Sequence, residues 1–537
     1  MKNIRVVSIV LAAFSLARIV NGQTNAPAAS APLIQPKSLA RVGAVDERFQ
    51  SYNIEMVEVT GGRFWKPYDS PAKGEPTAGN SASQANQAGN QPAGMAASLY
   101  EYRPPIDLSN ARLRKLAAAL GPAYLRVSGT WANTTWFQDS DGPAPSTPPA
   151  GFKGVLTRQE WKGVIDFANA MDAKIVTSFA VSDGVRDAQG EWTPDQARAL
   201  LDFTKASGGS IAAAEFMNEP TFPEIGGAPK GYDAAAFARD LVVFRAFMKR
   251  ESPKTFLLGP GGVGEGGTLM APGMHLLKSD DILAATGPVF DAFSYHFYGA
   301  VSARCGRPGM PGTVSPDAAL SEEWLGRAVK SEEYYAAIRD RLDPGKPMWL
   351  TETAEAACGG DRFASTFLDS FRYLNQLGAL ARRGVQVHMH NTLAASDYGL
   401  LDEKTYEPRP NYWAALLWHR LMGATVLDAG VSSPASLHVY AHCLPKIPGG
   451  VTLLVINTDS KDEQSLTVST TSDRYTMTAR ELGDRRVLLN GVELGLGGND
   501  AIPPLAKAKA QAGKVDFPPA SITFLAFPKA GNANCRQ

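Results

Sequence analysis

Eight short apolar runs alternate with amphipathic helical stretches along most of this chain, and few folds accept that rhythm. The runs are YNIEMVEV (52–59), AYLRVSG (123–129), KIVTSFA (174–180), IAAAEFMN (211–218), TFLLGPG (255–261), FDAFSYHFY (290–298), PMWLTET (347–353) and VQVHMHN (385–391). Each is strand-length and apolar, as strands buried on both faces must be. The gaps hold segments with apolar residues at helical period, such as YDAAAFARDLVVFRAFMKR and FASTFLDSFRYLNQLGALARR. Thr157 and Glu160 have capping-box spacing at the start of another, TRQEWKGVIDFANAM. Eight strand–helix alternations predict an α/β chain with a (β/α)8 TIM barrel over 46–423.

The pattern changes after about residue 424. SLHVYAHC, VTLLVINT, RRVLLNG and SITFLAF are short β-like runs separated by turn residues, including Asn490-Gly491. They predict an appended antiparallel β-sandwich over 424–537, with the lead-in at 23–45 a candidate for one more strand. Cys443 and Cys535 fall near the two ends of this domain. A bridge between them would tie the tail down, worth on the order of 4 kcal/mol in the loop-entropy model.

Residues 1–22 read as a signal peptide: Lys2 and Arg5, an apolar stretch from Val6 to Leu16, and small residues at Val20-Asn21-Gly22. Arg18 leaves that stretch too short to span a bilayer. A secreted or periplasmic protein, off the membrane once the signal is removed, is the expectation. The stretch 72–97, with KGEPTAGNSASQANQAGNQPAG, cannot supply a core and reads as a long mobile loop, and DGPAPSTPPAG at 141–151 as a rigid, Pro-rich one. Lys+Arg and Asp+Glu balance at 53 each, which argues against nucleic acid or another polyanion as partner. The glycines at 259–267 lack the Lys-Ser/Thr of a phosphate loop, and no Cys/His spacing suggests a metal site, so no cofactor is expected.

Two of the runs end in a way that bears chemistry. AEFMNEP places Glu219 just after the fourth strand, and MWLTET places Glu352 at the end of the seventh. Active sites of such barrels lie at the C-terminal strand ends, so both acids face one cleft. Paired carboxylates are what glycosidic cleavage requires. Asn218 beside Glu219 can contact a sugar 2-hydroxyl, and SYHFYG puts His296 or Tyr298 between the two acids. A tyrosine hydroxyl there can orient a carboxylate by donating to it. Asn133-Thr134-Thr135 is a glycosylation sequon, Trp131 and Trp136 could stack on sugars or pack in the core, and His388 and His390 read as hydrogen-bonding barrel residues.

The ordered set LRVSGT (125–130), FMNEP, SYHFYG, MWLTETAEAACGG, QVHMHNTLAASDYGLLDE and PRPNYWAALLWHRLMGATVLDA resembles the heparanase and β-glucuronidase family of clan A glycosidases. That resemblance implies a retaining glycoside hydrolase with Glu219 as acid/base and Glu352 as nucleophile, acting without a cofactor on a glucuronic-acid-containing glycan or glycoconjugate. It also implies sugar contacts from Glu55, Thr130 and Asn218. A glucuronate carboxylate would be held by backbone amides at Cys358, Gly359 and Gly360 and by Tyr398. Cys443–Cys535 matches a family disulfide. The chain departs from vertebrate heparanase in three places: Ala357-Cys358-Gly359-Gly360 replaces Tyr-Gly-Gly-Gly, Ser396-Asp397 replaces Gly-Asn before the tyrosine, and TFPEIGGAP carries no base before Lys230. Asp397 is expected to face away from the sugar. Cys305 and Cys358 follow neighbouring strands, so a bridge between their loops is expected, with two free thiols as the alternative. Exo-acting release of glucuronic acid is the leading expectation. Its rivals are endo-cleavage of heparan sulfate or hyaluronan, a clan relative acting on a neutral sugar, and a noncatalytic carbohydrate-binding barrel.

Overall fold

The computed structural model describes residues 33–68, 89–92, 95–267, 276–306, 312, 314–431 and 435–536. The signal-peptide reading at 1–22 and most of the stretch at 72–97 lie outside the described residues. All eight expected runs contain a strand: β1 (Gln50–Glu55), β2 (Ala123–Ser128), β3 (Ala173–Ser178), β4 (Ile211–Glu215), β5 (Phe256–Val263), β6 (Ala292–Tyr298), β7 (Met348–Ala354) and β8 (Val385–His390), but the second half of the first run turns into a helix, Met56–Thr60. They pair in parallel, in chain order, and β8 closes on β1 through His388↔Gln50 and His390↔Tyr52. Thr157 and Glu160 make both arms of the capping box at the start of Arg158–Ala170.

The barrel lumen changes character along its axis. Its lower layers are apolar, filled by Tyr124, Val176, Ala213, Leu258, Ala292, Trp349, Val387 and Met389. Strand side chains repeat every second residue on one face, so the next residues up the lumen lie two further on. On five strands these are Arg126, Ser178, Glu215, Ser294 and Thr351, all buried. The sequence therefore stacks a polar layer on an apolar plug, at the end of the barrel where the strands finish.

Beyond the barrel, β9 (Leu437–Cys443), β10 (Val451–Asn457), β11 (Ser472–Thr478) and β12 (Ser521–Phe527) form the centre of a large, mainly antiparallel sheet, in the order β9-β10-β12-β11. Every residue of β10 is buried because the sheet is covered twice. Leu454 and Ile456 join the barrel core, while Leu453 and Val455 meet a three-stranded sheet through Leu466, Val468, Val515 and Phe517. The N-terminal lead-in supplies two strands, more than the one expected. Leu33–Ile34 joins the small sheet and Arg41–Ala44 the large one. Asn490 and Gly491 both have positive φ, as a two-residue hairpin turn of the Asn-Gly kind requires, but only Leu488–Leu489 of the expected RRVLLNG run is a strand. Cys443–Cys535 and Cys305–Cys358 are both disulfides, with Cα separations of 5.3 and 6.5 Å. Among the described residues no helix is long and apolar enough to cross a membrane.

Two short two-stranded sheets, the first antiparallel and the second parallel, were not legible in the strand pattern. One pairs Gly62–Trp65 with Tyr100–Arg103, and the other pairs Thr135–Gln138 with Gly154–Thr157. The first carries Trp65 and Tyr100, whose rings stack 4.6 Å apart beside the mouth of the barrel.

Candidate active site

Glu219 and Glu352 reach one cavity by different local devices. After β4 the chain turns at Asn218, whose N–H donates to Asn133 Oδ1 (2.8 Å) while Asn133 Nδ2 donates to the Asn218 carbonyl (2.9 Å). That clamp fixes the strand exit, and Glu219 follows at φ 47, a left-handed conformation that costs a non-glycine residue roughly 1–3 kcal/mol. Such strain needs surroundings that overdetermine it, and the Asn133 clamp is part of them. On β7, strict alternation would send Thr351 and Glu352 to opposite faces. The pairing with β6 and with β8 shifts register at this point, and both side chains turn inward. Thr351 Oγ1 donates to Glu215 Oε1 (2.8 Å), and Glu352 reaches the cavity.

A buried charge network holds the two acids. Arg126 Nη1 donates to Glu352 Oε2 (2.8 Å), Arg126 Nη2 to Glu215 Oε2 (2.8 Å) and to Asn218 Oδ1 (2.7 Å). Tyr298 donates to Glu352 Oε1 (2.6 Å). His296 lies between the acids, its Nδ1 3.0 Å from Glu219 Oε1 and 3.8 Å from Glu352 Oε2. One oxygen of each glutamate and His296 Nδ1 or Nε2 all lie within 4.8 Å of one another. Three such atoms are a conceivable cation cage, but the Glu352 oxygen that faces His296 already accepts from Arg126, whose positive charge would repel a cation there. Burial raises the pKa of Glu219, and the negative charge of Glu352 adds to that against the hydrogen bond from His296. Glu215 moves the other way: burial pushes it up, but Arg126 and His296 outweigh burial and its pKa falls.

Around this pair lies a cavity of about 220 Å³. Its floor carries Glu55, Thr130, Tyr298, Asn391 and Tyr398 beside the two catalytic candidates. Asn391 Nδ2 lies 3.0 Å from Glu55 Oε1, 3.0 Å from the Tyr298 hydroxyl and 3.3 Å from the Tyr398 hydroxyl, tying three strands' ends together. Glu55 Oε2 is buried with no protein partner. Burial, then repulsion from Glu352, raises the Glu55 pKa well above the usual carboxylate range. A Cβ on Gly129 would fall 1.4 Å from Glu55 Oε2, so only glycine, at φ +90, leaves that carboxylate its place.

A family model matches the stretch that carries Arg126, Thr130, Glu219, Tyr298 and Glu352, while Glu55, Asn391 and Tyr398 lie outside it. The description of that model is glycosyl hydrolase family 79, N-terminal domain, and it matches residues 96–378, more than half the chain. The chain belongs to glycosyl hydrolase family 79. Among curated relatives, heparanase-like protein 1 of Arabidopsis thaliana is 29% identical over 68% of this chain and 67% of its own length. Baicalin-beta-D-glucuronidase of Scutellaria baicalensis is 27% identical over 79% of this chain and 84% of its own. Bos taurus heparanase is 27% identical over 80% and 86%. Solved structures share the fold: a Thermotoga maritima alpha-L-arabinofuranosidase (TM-score 0.59, 14% identity, 92% of this chain and 98% of that one) and a Fusarium oxysporum 4-O-alpha-L-rhamnosyl-beta-D-glucuronidase (TM-score 0.59, 13%, 93% and 99%).

Within this family 79 chain the expected site residues divide into those at the cavity and those behind it. Glu55, Thr130, Glu219, Tyr298, Glu352, Cys358 and Tyr398 border the cavity. Asn218 and His296 are buried behind the acids, and Asn218 Oδ1 is engaged by Arg126. Gly359 and Gly360 are buried behind Cys358, at φ 83 and 82, where side chains would strike Trp65 and Ser396 or Ala364 and Tyr398. The Gly360 N–H donates to the Ala356 carbonyl (3.1 Å), so the expectation that this amide holds a carboxylate is corrected. Asp397 turns from the cavity to Arg304 Nη2 (2.5 Å). Arg304 stacks on Tyr68, 3.9 Å from its ring centre.

Family 79 membership does not preserve every surface reading. The Asn133 sequon is fully buried and its amide is the Asn218 clamp, so it carries no glycan in the folded protein. His390 Nε2 lies 2.8 Å from the Tyr398 carbonyl, as a hydrogen-bonding barrel residue should, but neither ring nitrogen of buried His388 has a partner. Arg126, Glu215 and Asn391 escaped sequence reasoning. The first two were readable: each is a lone charge in an otherwise apolar strand, and buried charges demand partners.

Proposed function

We propose that this family 79 chain is a retaining β-glucuronide hydrolase that releases single glucuronic acid residues. The carrying observation is the pair of glutamates, with oxygens within 4.8 Å, set on β7 and just after β4. Retaining enzymes place their carboxyl groups about 5–5.5 Å apart, whereas inverting enzymes need room for a water. In the first step Glu352 attacks the anomeric carbon. The bond to the leaving oxygen breaks, and Glu219 gives that oxygen its proton. Esterified Glu352 no longer carries the charge that helps raise the Glu219 pKa, so that pKa falls and Glu219 stays ionised, ready to accept a proton. It then takes a proton from water, whose oxygen attacks the same carbon and frees Glu352.

The acidic sugar rests on the resemblance of the site loops and on the names of two relatives, a heparanase and a glucuronidase. Tyr398 and the backbone at Cys358 are the donors this reading gives the sugar carboxylate. Release of one sugar at a time is supported by the loops after β6 and β7, joined by Cys305–Cys358 at the cavity wall. Use of all four cysteines in disulfides supports a secreted or periplasmic protein.

The test is to trap the glycosyl-enzyme with an activated 2-fluoro-glucuronide and map the labelled peptide. Label on Glu352, with the β-anomer of glucuronic acid as first product by proton NMR, is the expected result. An α-anomer product, or oligosaccharides in place of free glucuronic acid, would overturn the retaining or the exo assignment respectively.

A further inference from the structure

We propose that Arg304 and Asp397 are a specificity-determining pair: set behind the end of the cavity bordered by Cys358 and Tyr398, they govern how strongly it prefers a charged sugar carboxylate. The proposal rests on the β-glucuronidase reading above and concerns residues behind the cavity lining. Cys358 and Tyr398, which that reading gives the carboxylate, border the cavity. Behind them the chain forms a second charge cluster, which shares no residue with the Arg126 network. Arg304 Nη2 donates to Asp397 Oδ2 (2.5 Å) and to the Gly360 carbonyl (3.2 Å), and its Nη1 donates to the Lys66 carbonyl. Asp397 immediately precedes Tyr398, and its N–H donates to the carbonyl of Gly359, the residue after Cys358 (3.2 Å). Tyr68 ties the cluster together. Its N–H donates to Asp397 Oδ2 (3.2 Å) and its hydroxyl to Asp361 Oδ1 (2.6 Å). Arg304 and Arg362 lie 3.9 and 4.6 Å from its ring centre.

The cavity itself has no cation for an acidic sugar. Among the described residues bordering it there is no lysine or arginine, and the ionisable side chains that could carry charge there are Glu55, Glu219 and Glu352. A glucuronate adds one more carboxylate to that set. Arg304 is the cation whose partners stand next to the carboxylate's proposed donors. Burial first, then nearby glutamates, raise the Tyr398 pKa, and Arg304 pulls it down, so the field of the guanidinium reaches the cavity side. The Arg304 side chain is 10% exposed and that of Asp397 6%, so water and salt screen the pair little. Asp397 cancels much of that field. Asp361 and exposed Arg362 add one charge of each sign, and Arg103 and Arg409 have carboxylates of their own in Glu403 and Asp402. This end of the cavity is therefore held close to neutral, and removing either charge of the pair tips it.

The experiment measures kcat and KM for phenyl β-glucuronide and for its carboxamide, which keeps the shape of the sugar and loses its charge. The ratio of the two kcat/KM values reads the field at this end of the cavity. Asp397→Asn leaves Arg304 uncancelled and should raise the acid-to-amide ratio about threefold to tenfold, through a lower KM for the acid. Arg304→Met leaves Asp397 uncancelled and should lower the ratio by a similar factor, through a higher KM. The Arg304→Met/Asp397→Asn double variant carries neither charge and should return the ratio to near that of the unaltered protein. A pair that only props up the loop would weaken both substrates together in every variant. Ratios that stay put, or that move in the same direction in the two single variants, overturn the proposal and leave the β-glucuronidase reading intact. Should Arg304→Met fail to fold, the rise in Asp397→Asn and its reversal in the double variant decide alone. Failure of the unaltered protein to cleave the glucuronide overturns the β-glucuronidase reading itself.

Discussion

The floor and the walls of the cavity are built on opposite principles. The floor is a buried charge network in which Arg126 reaches Glu215 and Glu352 at 2.8 Å, with Glu55 Oε2 and Asn391 Oδ1 left without a protein partner. The walls are apolar rings and a disulfide, with few hydrogen bonds to specify them. The floor stands on strands of a closed barrel, while the walls stand on loops and on the small Gly62–Trp65/Tyr100–Arg103 sheet. The proposed chemistry thus sits on barrel strands, and the surfaces around it stand on loops and a two-stranded sheet. Changes to the floor should lower turnover for every substrate, and changes to the walls should reorder substrates.

The sharpest break in that comparison comes from the floor. Glu352→Gln is expected to lower kcat on a phenyl glucuronide by more than about 10⁴-fold, as loss of a covalent nucleophile does. Arg126 keeps its bonds to Glu215 and Asn218, so the melting temperature should stay within a few degrees. Retained turnover in this variant would remove the nucleophile from the floor altogether. Arg126→Met should act on folding as well. It leaves Glu215 and Glu352 buried without their cation, and breaking a buried pair from one side costs roughly 3–5 kcal/mol. Denaturant midpoints measure that loss; an unchanged midpoint would mean the floor does not depend on its central charge.

Glu219 gives the next effect, in pH. Its pKa is raised above the ordinary glutamic acid value, and it must be protonated to serve as acid. Activity limited by the first step is therefore present below that pKa and falls as pH rises through it, tenfold per unit. Glu219→Gln should flatten this alkaline limb and cut kcat by roughly 10²–10⁴-fold on poor leaving groups, with much less loss on a nitrophenyl glucuronide that needs no proton. A limb that persists in the variant would assign the titration elsewhere.

How much of this was legible follows the same division. The barrel could be read because strands buried on both faces must be apolar and strand-length, and eight of them with helices between have one economical closure. Glu219 and Glu352 could be read because each breaks an apolar run at a strand end. Asn133 misled, because a sequon carries no information about burial, and only the tertiary clamp on Asn218 reveals its role. Trp65 and Tyr100 were not legible as wall residues, since nothing local tells which loop folds over which cavity. The inward turn of Glu352 rests on a register shift that strand alternation alone cannot supply.

The smallest kinetic effects come from the two disulfides, and they separate stability from function. Cys443–Cys535 spans 92 residues and Cys305–Cys358 spans 53. The loop-entropy model depends only logarithmically on these lengths and gives each bridge about 4 kcal/mol. Removing either as a double Cys→Ser change should therefore lower the denaturant midpoint by similar amounts. Their surroundings differ. Cys443 and Cys535 belong to the core of the sandwich, while Cys305 and Cys358 border the cavity, where Cys358 sits at φ 64 next to the buried Gly359. Loosening the second bridge frees the loop proposed to face the sugar carboxylate. KM for a phenyl glucuronide is expected to rise severalfold in the Cys305/Cys358 double variant, with kcat changed less, because the floor does not hang on that loop. The Cys443/Cys535 variant, assayed well below its melting point, should keep both constants. Equal kinetic losses in the two would show that the wall disulfide acts only by holding the fold, and that the division between floor and walls does not extend to the sugar's acidic end.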